Sequence, residues 1–439
     1  MLSRDSAGDA ARDVAGRIAA ERCLEAAIEA STRQSTAEYV RWRPHTVAGG
    51  YAGTAILFGA ADARWPGEGW DRAGHRHLAA AVAATETQPH VNPSLYTGLA
   101  GIGFAAQVLA GGRDRYRRLL TAVDAELIGQ VDEIVDRLEV TSGTSVGAFD
   151  AISGLSGIGA YLLTRRDEPA ARAVLERLLS ALGRLLRDEG VPRRWHTPHR
   201  FLSPSMQRMN PHGNLNCGLA HGVPGPIALL AIAQREGVTA PHATEGLRVA
   251  TRWLVDQRTD GVDGPDWPTT VGLDRAGGAV PPPASTHRPS RATWCYGTPG
   301  VVRALWLAGT ALDDPATCTL SVDTMRAVVA RPAPERLITT PTFCHGTAGL
   351  LQIVTGFARD TGHPELVAAA AGLAAELAGQ RDPAAALGYR DVEASGAAVD
   401  HPTLLDGAAG VALALLGATA PDRERDPGRP PWERLFLLG

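Results

Sequence analysis

Seven copies of a short glycine pattern constrain the fold of this chain more than any other feature. Each copy reads G-x-x-G and opens an apolar run, as in GGYAGTAILFG and LLDGAAGVALALL. The seven glycine pairs are Gly50 and Gly53, Gly98 and Gly101, Gly154 and Gly157, Gly222 and Gly225, Gly297 and Gly300, Gly346 and Gly349, and Gly407 and Gly410. A pattern that recurs at such intervals is typical of a repeat architecture.

The residues around each copy predict one pair of helices per repeat. The first glycine is expected to adopt a positive φ in a tight turn, and the second to let two backbones approach closely. The runs that follow are apolar on all sides, which predicts buried inner helices. Amphipathic, charged segments such as residues 165–190 and 363–380 lie between copies, and their helical spacing predicts outer helices that cover the inner ones.

Buried inner helices without a polar face cannot border on solvent, so the array is expected to close into a ring. The sequence therefore predicts an all-α fold, an α/α toroid of seven helix-pair repeats, as one domain over residues 1–439. Within it, residues 1–40 are expected to form an N-terminal helical segment. Residues 191–216 and 258–293 are expected to be long loops near the active-site end, because loops of that length usually carry function.

Composition excludes several classes of function. The formal net charge of -4 predicts no strong attraction to nucleic acid or to an anionic membrane. All 43 basic residues are arginine, which excludes chemistry that needs lysine, such as a Schiff base. The N-terminus has no apolar stretch typical of a signal peptide, and no segment predicts a membrane span. Five widely spaced cysteines predict reduced thiols and a cytoplasmic protein.

The residues immediately before the first glycines differ between copies. Copies four, five and six place His221, Tyr296 and His345 one position before the glycine. Copies five and six place Cys295 and Cys344 one position earlier still. Equivalent positions of a toroid face the same end of the ring, so this asymmetry predicts a functional site at that end.

Two cysteines and a histidine in this register favour a metal site. Cys295, Cys344 and His345 would offer two thiolates and one imidazole, a set that suits Zn²⁺. Three protein ligands leave the fourth tetrahedral position open, which is typical of a catalytic zinc. The alternative is that both cysteines are small buried hydrophobic residues near helix starts and that His345 caps a neighbour.

Four motifs resemble those of the lanthionine synthetase C family, the LanC-type lanthipeptide cyclases: FDAISGLSGIG, NLNCGLAHGVPGP, RATWCYGTPG and FCHGTAGL. The resemblance extends from the first glycine repeat to the end of the chain. It implies a seven-repeat α/α toroid, in agreement with the glycine pattern. It also implies that Cys295, Cys344 and His345 are the zinc ligands.

The same resemblance implies roles for four further residues. His221 matches an acid/base histidine, and imidazole titrates near neutral pH; a buried histidine bonded to backbone is the alternative. Asp150 could orient an imidazole, accept the thiol proton, or cap a helix. Arg291 could stabilise an enolate oxygen or form a surface ion pair. Tyr296 could bond the substrate or pack against the ring.

The reaction that the resemblance implies is thioether formation. A cysteine thiol would add to a dehydroalanine or dehydrobutyrine of the same precursor peptide, which a separate dehydratase has already dehydrated. A related zinc enzyme that adds glutathione or another small thiol to dehydroamino acids is one alternative, because it would use the same site. A non-catalytic scaffold that binds the precursor peptide is another.

Overall fold

The computed structural model describes residues 4–37, 42–261, 264–280, 289–419 and 430–439. Parts of the expected N-terminal segment and of the 258–293 loop therefore lie outside the described residues. The described helices are α1 (Arg4–Ala19), α2 (Glu21–Gln34), α3 (Tyr51–Arg64), α4 (Trp70–Thr85), α5 (Leu99–Ala110), α6 (Arg117–Val140), α7 (Leu155–Thr164), α8 (Pro169–Leu186), α9 (Pro204–Met209), α10 (Pro224–Arg235), α11 (Ala243–Asp256), α12 (Thr298–Ala311), α13 (Pro315–Ala330), α14 (Thr347–Thr361), α15 (Pro364–Gly379) and α16 (Ala408–Thr419). Among these helices, none is both long enough and apolar enough to cross a membrane.

The strands of the described chain are short and antiparallel. They are β1 (Asn214–Asn216), β2 (Thr259–Gly261), β3 (Gly264–Asp266), β4 (Thr270–Leu273), β5 (Ala279–Val280), β6 (Asp391–Val392) and β7 (Ala398–Val399). One sheet has the order β1-β4-β5, and β2-β3 and β6-β7 form separate hairpins. The first five strands fall within the two segments expected to be long loops, so those segments contain short paired elements.

Contacts between Cα atoms divide the chain into two compact units. The first comprises Met1–Asn92, Tyr96–Val123 and Ile338–Trp432, and the second comprises Pro93–Leu95, Asp124–Leu337 and Glu433–Gly439. In the first unit the inner helices pack in series, α14 on α16, α16 on α3 and α3 on α5. In the second, α7 packs on α10 and α10 on α12. The repeats therefore stack side by side within each unit.

Each inner helix begins directly after a G-x-x-G glycine. Six helices begin at the next residue, and α10 begins two residues after Gly222. The sequence explains their burial, because these helices carry almost no charge. In α10, all residues from Pro224 to Ala233 are buried.

Backbone hydrogen bonds join the turns that precede neighbouring inner helices. In the first unit the Cys344 amide donates to the Leu405 carbonyl at 2.9 Å, the Leu405 amide to Ala48 at 3.2 Å, and the Ala48 amide to Tyr96 at 2.9 Å. All four residues stand two positions before a first glycine. Equivalent positions of successive repeats in this unit are therefore hydrogen-bonded to one another.

The two glycines of the fifth repeat are required for different reasons. Gly297 has φ of 136°, a left-handed value that other residues rarely adopt. Of the seven first glycines, all of which are described, only Gly297 has a positive φ. The expectation of a positive φ is therefore wrong for the other six. At those six positions a Cβ would clash with backbone atoms. A Cβ on Gly300 would lie 2.3 Å from the Trp294 carbonyl oxygen and 3.0 Å from the Leu219 Cβ.

Replacing Gly300 by alanine should therefore destabilise the protein by about 1–3 kcal/mol, because the backbone must shift to admit a methyl group. The thermal unfolding midpoint measures the effect. Gly129→Ala in α6 is the matched control, since a Cβ there meets no atom within 4 Å. That control should stabilise the protein by up to about 1 kcal/mol. Equal midpoints for the two variants would contradict the close-packing explanation.

The N-terminal helix supplies a partner for the last inner helix. α1 packs against α16 and α15, and α2 contacts α1 and β7. The buried face of α1 includes Ala11, Val14 and Ile18, which recur at helical spacing. The outer helix over the seventh repeat is therefore provided by the start of the chain, which the glycine pattern alone did not predict.

The segment after α2 is attached to the β6-β7 hairpin through one carboxylate. Glu393 accepts hydrogen bonds from the Ser35 hydroxyl, the Thr36 hydroxyl and the Thr36 amide. Burial by itself would raise the pKa of Glu393, but these hydrogen bonds outweigh it and lower the pKa to about 2. The ionised form is therefore favoured in the folded protein.

Glu393→Gln should reduce stability at neutral pH by about 2 kcal/mol, because a lowered folded-state pKa stabilises the fold above the unfolded pKa. This contribution is lost as pH falls from about 4.5 toward about 2, so wild type and variant should converge there. Urea unfolding at pH 7 and pH 3 measures the difference. The exposed Glu86 offers a control, and Glu86→Gln should change stability at neither pH. A gap that is the same at both pH values would contradict the assignment.

Candidate functional site

The second unit brings Asp150 and His221 together. Asp150 lies in the turn before α7 and is 1% exposed. Its Oδ1 accepts from the amides of Ser153 and Gly154 at 2.7 and 2.9 Å, and its Oδ2 lies 2.6 Å from His221 Nδ1. One oxygen thus closes the turn and the other orients the imidazole. Asp150 can therefore bond the backbone before α7 and orient an imidazole at the same time.

This hydrogen bond determines which nitrogen of His221 could contact a ligand. An ionised carboxylate only accepts hydrogen bonds, so with Asp150 ionised Nδ1 carries the shared proton and Nε2 is the nitrogen left for a ligand. Burial lowers the pKa of His221, but the hydrogen bond and the negative charge of Asp150 outweigh it, and Cys295 adds to the increase. The pKa is therefore raised. The His221 side chain is 38% exposed and accessible to a ligand.

Tyr296 lies beside His221, and its hydroxyl is fixed by a residue that the sequence did not single out. The two rings are 6.2 Å apart between centroids. Asn216 donates from Nδ2 to the Tyr296 hydroxyl at 3.0 Å and accepts from the Gly218 amide at 2.9 Å. A Cβ on Gly218 would lie 2.5 Å from the Tyr296 ring, so this glycine admits the ring. The Tyr296 hydroxyl is thereby held at a defined position.

Cys295 is anchored by main-chain contacts in the same unit. The Ala220 amide donates to the Cys295 carbonyl at 3.3 Å, next to His221 in the chain. The preceding Trp294 is buried and donates from its indole to the Phe436 carbonyl at 3.0 Å. Cys295 itself is half-buried. It therefore combines a fixed backbone with an accessible thiol.

Arg291, a predicted site residue, and Cys217, a further thiol of the second unit, have contrasting surroundings. Arg291 is exposed, and its guanidinium has no ion-pair partner among the described residues. Cys217 is buried, and burial raises the pKa of its thiol to about 12. Cys217 is therefore a structural thiol and not a nucleophile. In the first unit, Cys23 is exposed on α2.

The first unit holds Cys344 and His345, both half-buried, at the turn before α14. Carboxylates face both ring nitrogens of His345. Asp406 Oδ1 lies 3.5 Å from Nδ1, and Asp391 Oδ1 lies 4.0 Å from Nε2. Neither Asp391 nor Asp406 was predicted from the sequence to be part of the site. Asp391 comes from β6 and is fixed by a hydrogen bond from Thr340 at 2.6 Å.

A histidine whose second nitrogen faces a carboxylate has the surroundings usual for a metal ligand. The donor types of Cys344 and His345, thiolate and imidazole, suit zinc. The first unit therefore provides two neighbouring side chains that could bind a metal, and carboxylates that could orient the imidazole. Cys295, the third predicted ligand, belongs to the second unit.

Comparisons with known proteins agree with this chemistry. A sequence model of the family described as "Lanthionine synthetase C-like protein" matches residues 41–437. The nisin biosynthesis protein NisC of Lactococcus lactis subsp. lactis is 27% identical over 286 residues, which cover 63% of this chain and 65% of that protein. The aligned stretch thus spans just under two thirds of the relative.

The solved structure of a nisin cyclase has the same fold. The TM-score is 0.74 at 20% sequence identity, and the match covers 95% of this chain and 97% of that one. The predicted fold class, an all-α protein of the α/α-toroid type, is confirmed by this likeness. Because the family match extends over most of the chain, from residue 41 to residue 437, the protein belongs to the lanthionine synthetase C-like family.

Proposed function

We propose that this protein is a zinc-dependent lanthipeptide cyclase. It would add cysteine thiols of a dehydrated precursor peptide to dehydroalanine or dehydrobutyrine and so form lanthionine or methyllanthionine rings. The hydrogen-bonded pair of Asp150 and His221 carries the proposal, because it supplies the acid that such an addition needs. Family membership supports it further. Since the family and fold matches include residues of both units, we propose that the chain acts as one catalytic domain.

We propose Cys295, Cys344 and His345 as the ligands of the zinc ion. They offer two thiolates and one imidazole, each residue is half-buried, and these donor types fit zinc. Zinc at such a site would lower the pKa of a substrate thiol and favour its nucleophilic thiolate form. One nitrogen of His345 would bind zinc, and the carboxylate that faces the other nitrogen, from Asp391 or Asp406, would orient the ring.

His221 would complete the addition by donating a proton. The thiolate sulfur forms a bond to the β-carbon of the dehydroamino acid, and the π electrons move onto the neighbouring carbonyl as an enolate. His221 Nε2 then gives its proton to the α-carbon, while Asp150 holds Nδ1 and balances the imidazolium charge. The substrate thiol loses one proton when it becomes the thiolate, and the α-carbon gains one proton from His221, so the peptide mass does not change. The released thiol proton can then reprotonate His221.

Two further side chains are assigned supporting roles in this proposal. Arg291, whose guanidinium is unpaired among the described residues, would stabilise the negative charge of the enolate oxygen. Tyr296, held by Asn216 and close to His221, would donate a hydrogen bond to the peptide substrate.

The proposed reaction requires a supply of dehydrated peptide, so we propose a separate dehydratase as a partner in biosynthesis. The proposed zinc ligands include two thiols, Cys295 and Cys344, which must stay reduced in order to bind a metal. We therefore propose that the protein works in the cytoplasm, where thiols remain reduced.

The test is a count of peptide thiols by alkylation and mass spectrometry. A dehydrated, cysteine-containing peptide is incubated with the purified protein, with and without added glutathione. Loss of peptide thiols at unchanged peptide mass is expected and would support intramolecular cyclisation. Glutathione adducts would instead support the small-thiol alternative. Unchanged peptide thiols, with peptide bound to the zinc-loaded protein, would support the scaffold alternative.

A further inference from the structure

One exposed segment of the second unit combines basic and apolar side chains and contains no acidic residue. It comprises residues 199–212, and the surrounding sequence has no aspartate or glutamate from Gly190 to Arg235. Phe201 and Met209 are 48% and 66% exposed, among the most exposed large hydrophobic residues of the described chain. We call residues 199–212 the basic–apolar segment.

Some arginines of the described surface lie against carboxylates that balance their charge. Arg177 and Arg184, for example, form ion pairs with carboxylates of α6. Arg200 and Arg208 are exposed and have no carboxylate partner among the described residues. The Arg200 guanidinium lies 4.5 Å from the centroid of the Phe201 ring. A positively charged surface with an aromatic component is thus available to a ligand.

Local hydrogen bonds give the basic–apolar segment a defined conformation. The Ser203 hydroxyl accepts from the Met206 amide at the start of α9. The Gln207 side chain donates to the His199 carbonyl at 3.1 Å, and Asn210 donates to the Met206 carbonyl at 3.3 Å. Because the segment is already ordered, a ligand that binds it would lose less conformational entropy than on a disordered loop.

The segment is continuous with the candidate site. It leads directly into β1, whose last residue, Asn216, donates to the Tyr296 hydroxyl beside His221. A peptide bound at residues 199–212 would therefore lie on the same loop that holds a substrate-facing residue. This continuity favours a peptide substrate as the ligand of this surface.

We propose that the basic–apolar segment is a docking site for an acidic stretch of the peptide substrate that contains apolar side chains. Carboxylates of this stretch pair with Arg200 and Arg208, and its apolar side chains pack on Phe201 and Met209. The docked stretch is distinct from the residues that react at His221. The inference rests on the proposed function for its choice of ligand.

Binding is measured first without catalysis, by fluorescence anisotropy of a labelled probe peptide, EELLEELLEELL, and of its charge-reversed form KKLLKKLLKKLL. The acidic probe should bind more tightly than the basic one, and its binding should weaken with salt. The double variants Arg200→Glu/Arg208→Glu and Phe201→Ser/Met209→Ser should each weaken it by about tenfold, the scale expected for loss of two exposed contacts. Arg252→Glu, at an exposed position of α11, is the control and should bind as wild type does.

A second measurement compares cyclisation of a dehydrated cysteine peptide with and without an acidic, leucine-containing extension. The extension should lower KM for wild type, and both double variants should lose this advantage with kcat unchanged. Equal binding of the two probes, or unaltered binding by both variants, would overturn the docking proposal. If the acidic probe binds as expected but no peptide is cyclised, docking is supported and the proposed cyclase function fails.

Discussion

Cys344→Ala should abolish both zinc binding and cyclisation. The cysteine supplies one of the two thiolates in the proposed ligand set, and without it the remaining donors are one thiolate and one imidazole. A pair of ligands holds zinc far more weakly than three. We expect the cyclisation rate to fall at least about 1,000-fold, since thiol activation by the metal accounts for several kcal/mol of the barrier.

Zinc content by native mass spectrometry and the rate of peptide thiol loss are measured on the same preparation. Cys23→Ser is the matched control. Cys23 belongs to the first unit, as Cys344 does, but it is exposed on α2 and stands outside the glycine register. It should keep both zinc and activity. A Cys344→Ala protein that retains one zinc ion and cyclises peptide at the wild-type rate would show that the ligand assignment is wrong.

The repeat fold could be predicted from the sequence because its cause is local. Each G-x-x-G copy fixes the start of a buried helix, and the spacing of apolar residues fixes which helices are inner and outer. The role of α1 could not be predicted in this way. Its packing on α16 joins segments almost 400 residues apart, and no motif near α1 indicates which helix it covers.

The glycine register indicated part of the candidate site, and the family resemblance added Asp150 and Arg291. His221, Tyr296 and His345 each stand one position before a first glycine, so alignment of the copies identified them. Asp391 lies on a strand outside the repeats, and only the hairpin β6-β7 brings its carboxylate toward His345. Asn216 is six residues before Gly222, and no sequence pattern indicates that its side chain donates a hydrogen bond to the Tyr296 hydroxyl.

The predicted reason for a glycine at the first position of each repeat, a positive φ, is only partly correct. Positive φ is the usual explanation of a glycine in a turn, and it holds for Gly297. At Gly50 and Gly346 the backbone is extended, and a Cβ would instead meet a carbonyl oxygen of the preceding turn, at 2.0 and 2.4 Å. Sequence alone cannot distinguish the two causes, because both require the absence of a side chain.

Asp150→Asn should lower kcat by about 100-fold, within the range for loss of an effective general acid. A neutral amide does not stabilise the imidazolium form of His221 as a carboxylate does, so the raised pKa of His221 should fall. The protonated imidazole is the acid in the proposed step. The loss of activity with rising pH should therefore occur at a lower pH in the variant than in wild type.

A paired variant separates this role from the structural one. The amide oxygen of asparagine can still accept from the Ser153 and Gly154 amides, so Asp150→Asn should keep its thermal midpoint close to that of wild type. Asp150→Ala leaves those buried amides without an acceptor and should also lose about 1–3 kcal/mol of stability. The measurements are pH–rate profiles and thermal unfolding of both variants. If Asp150→Asn retains the wild-type rate and pH profile while Asp150→Ala loses stability, Asp150 only closes the turn before α7, and the proton must come from a group that does not depend on it.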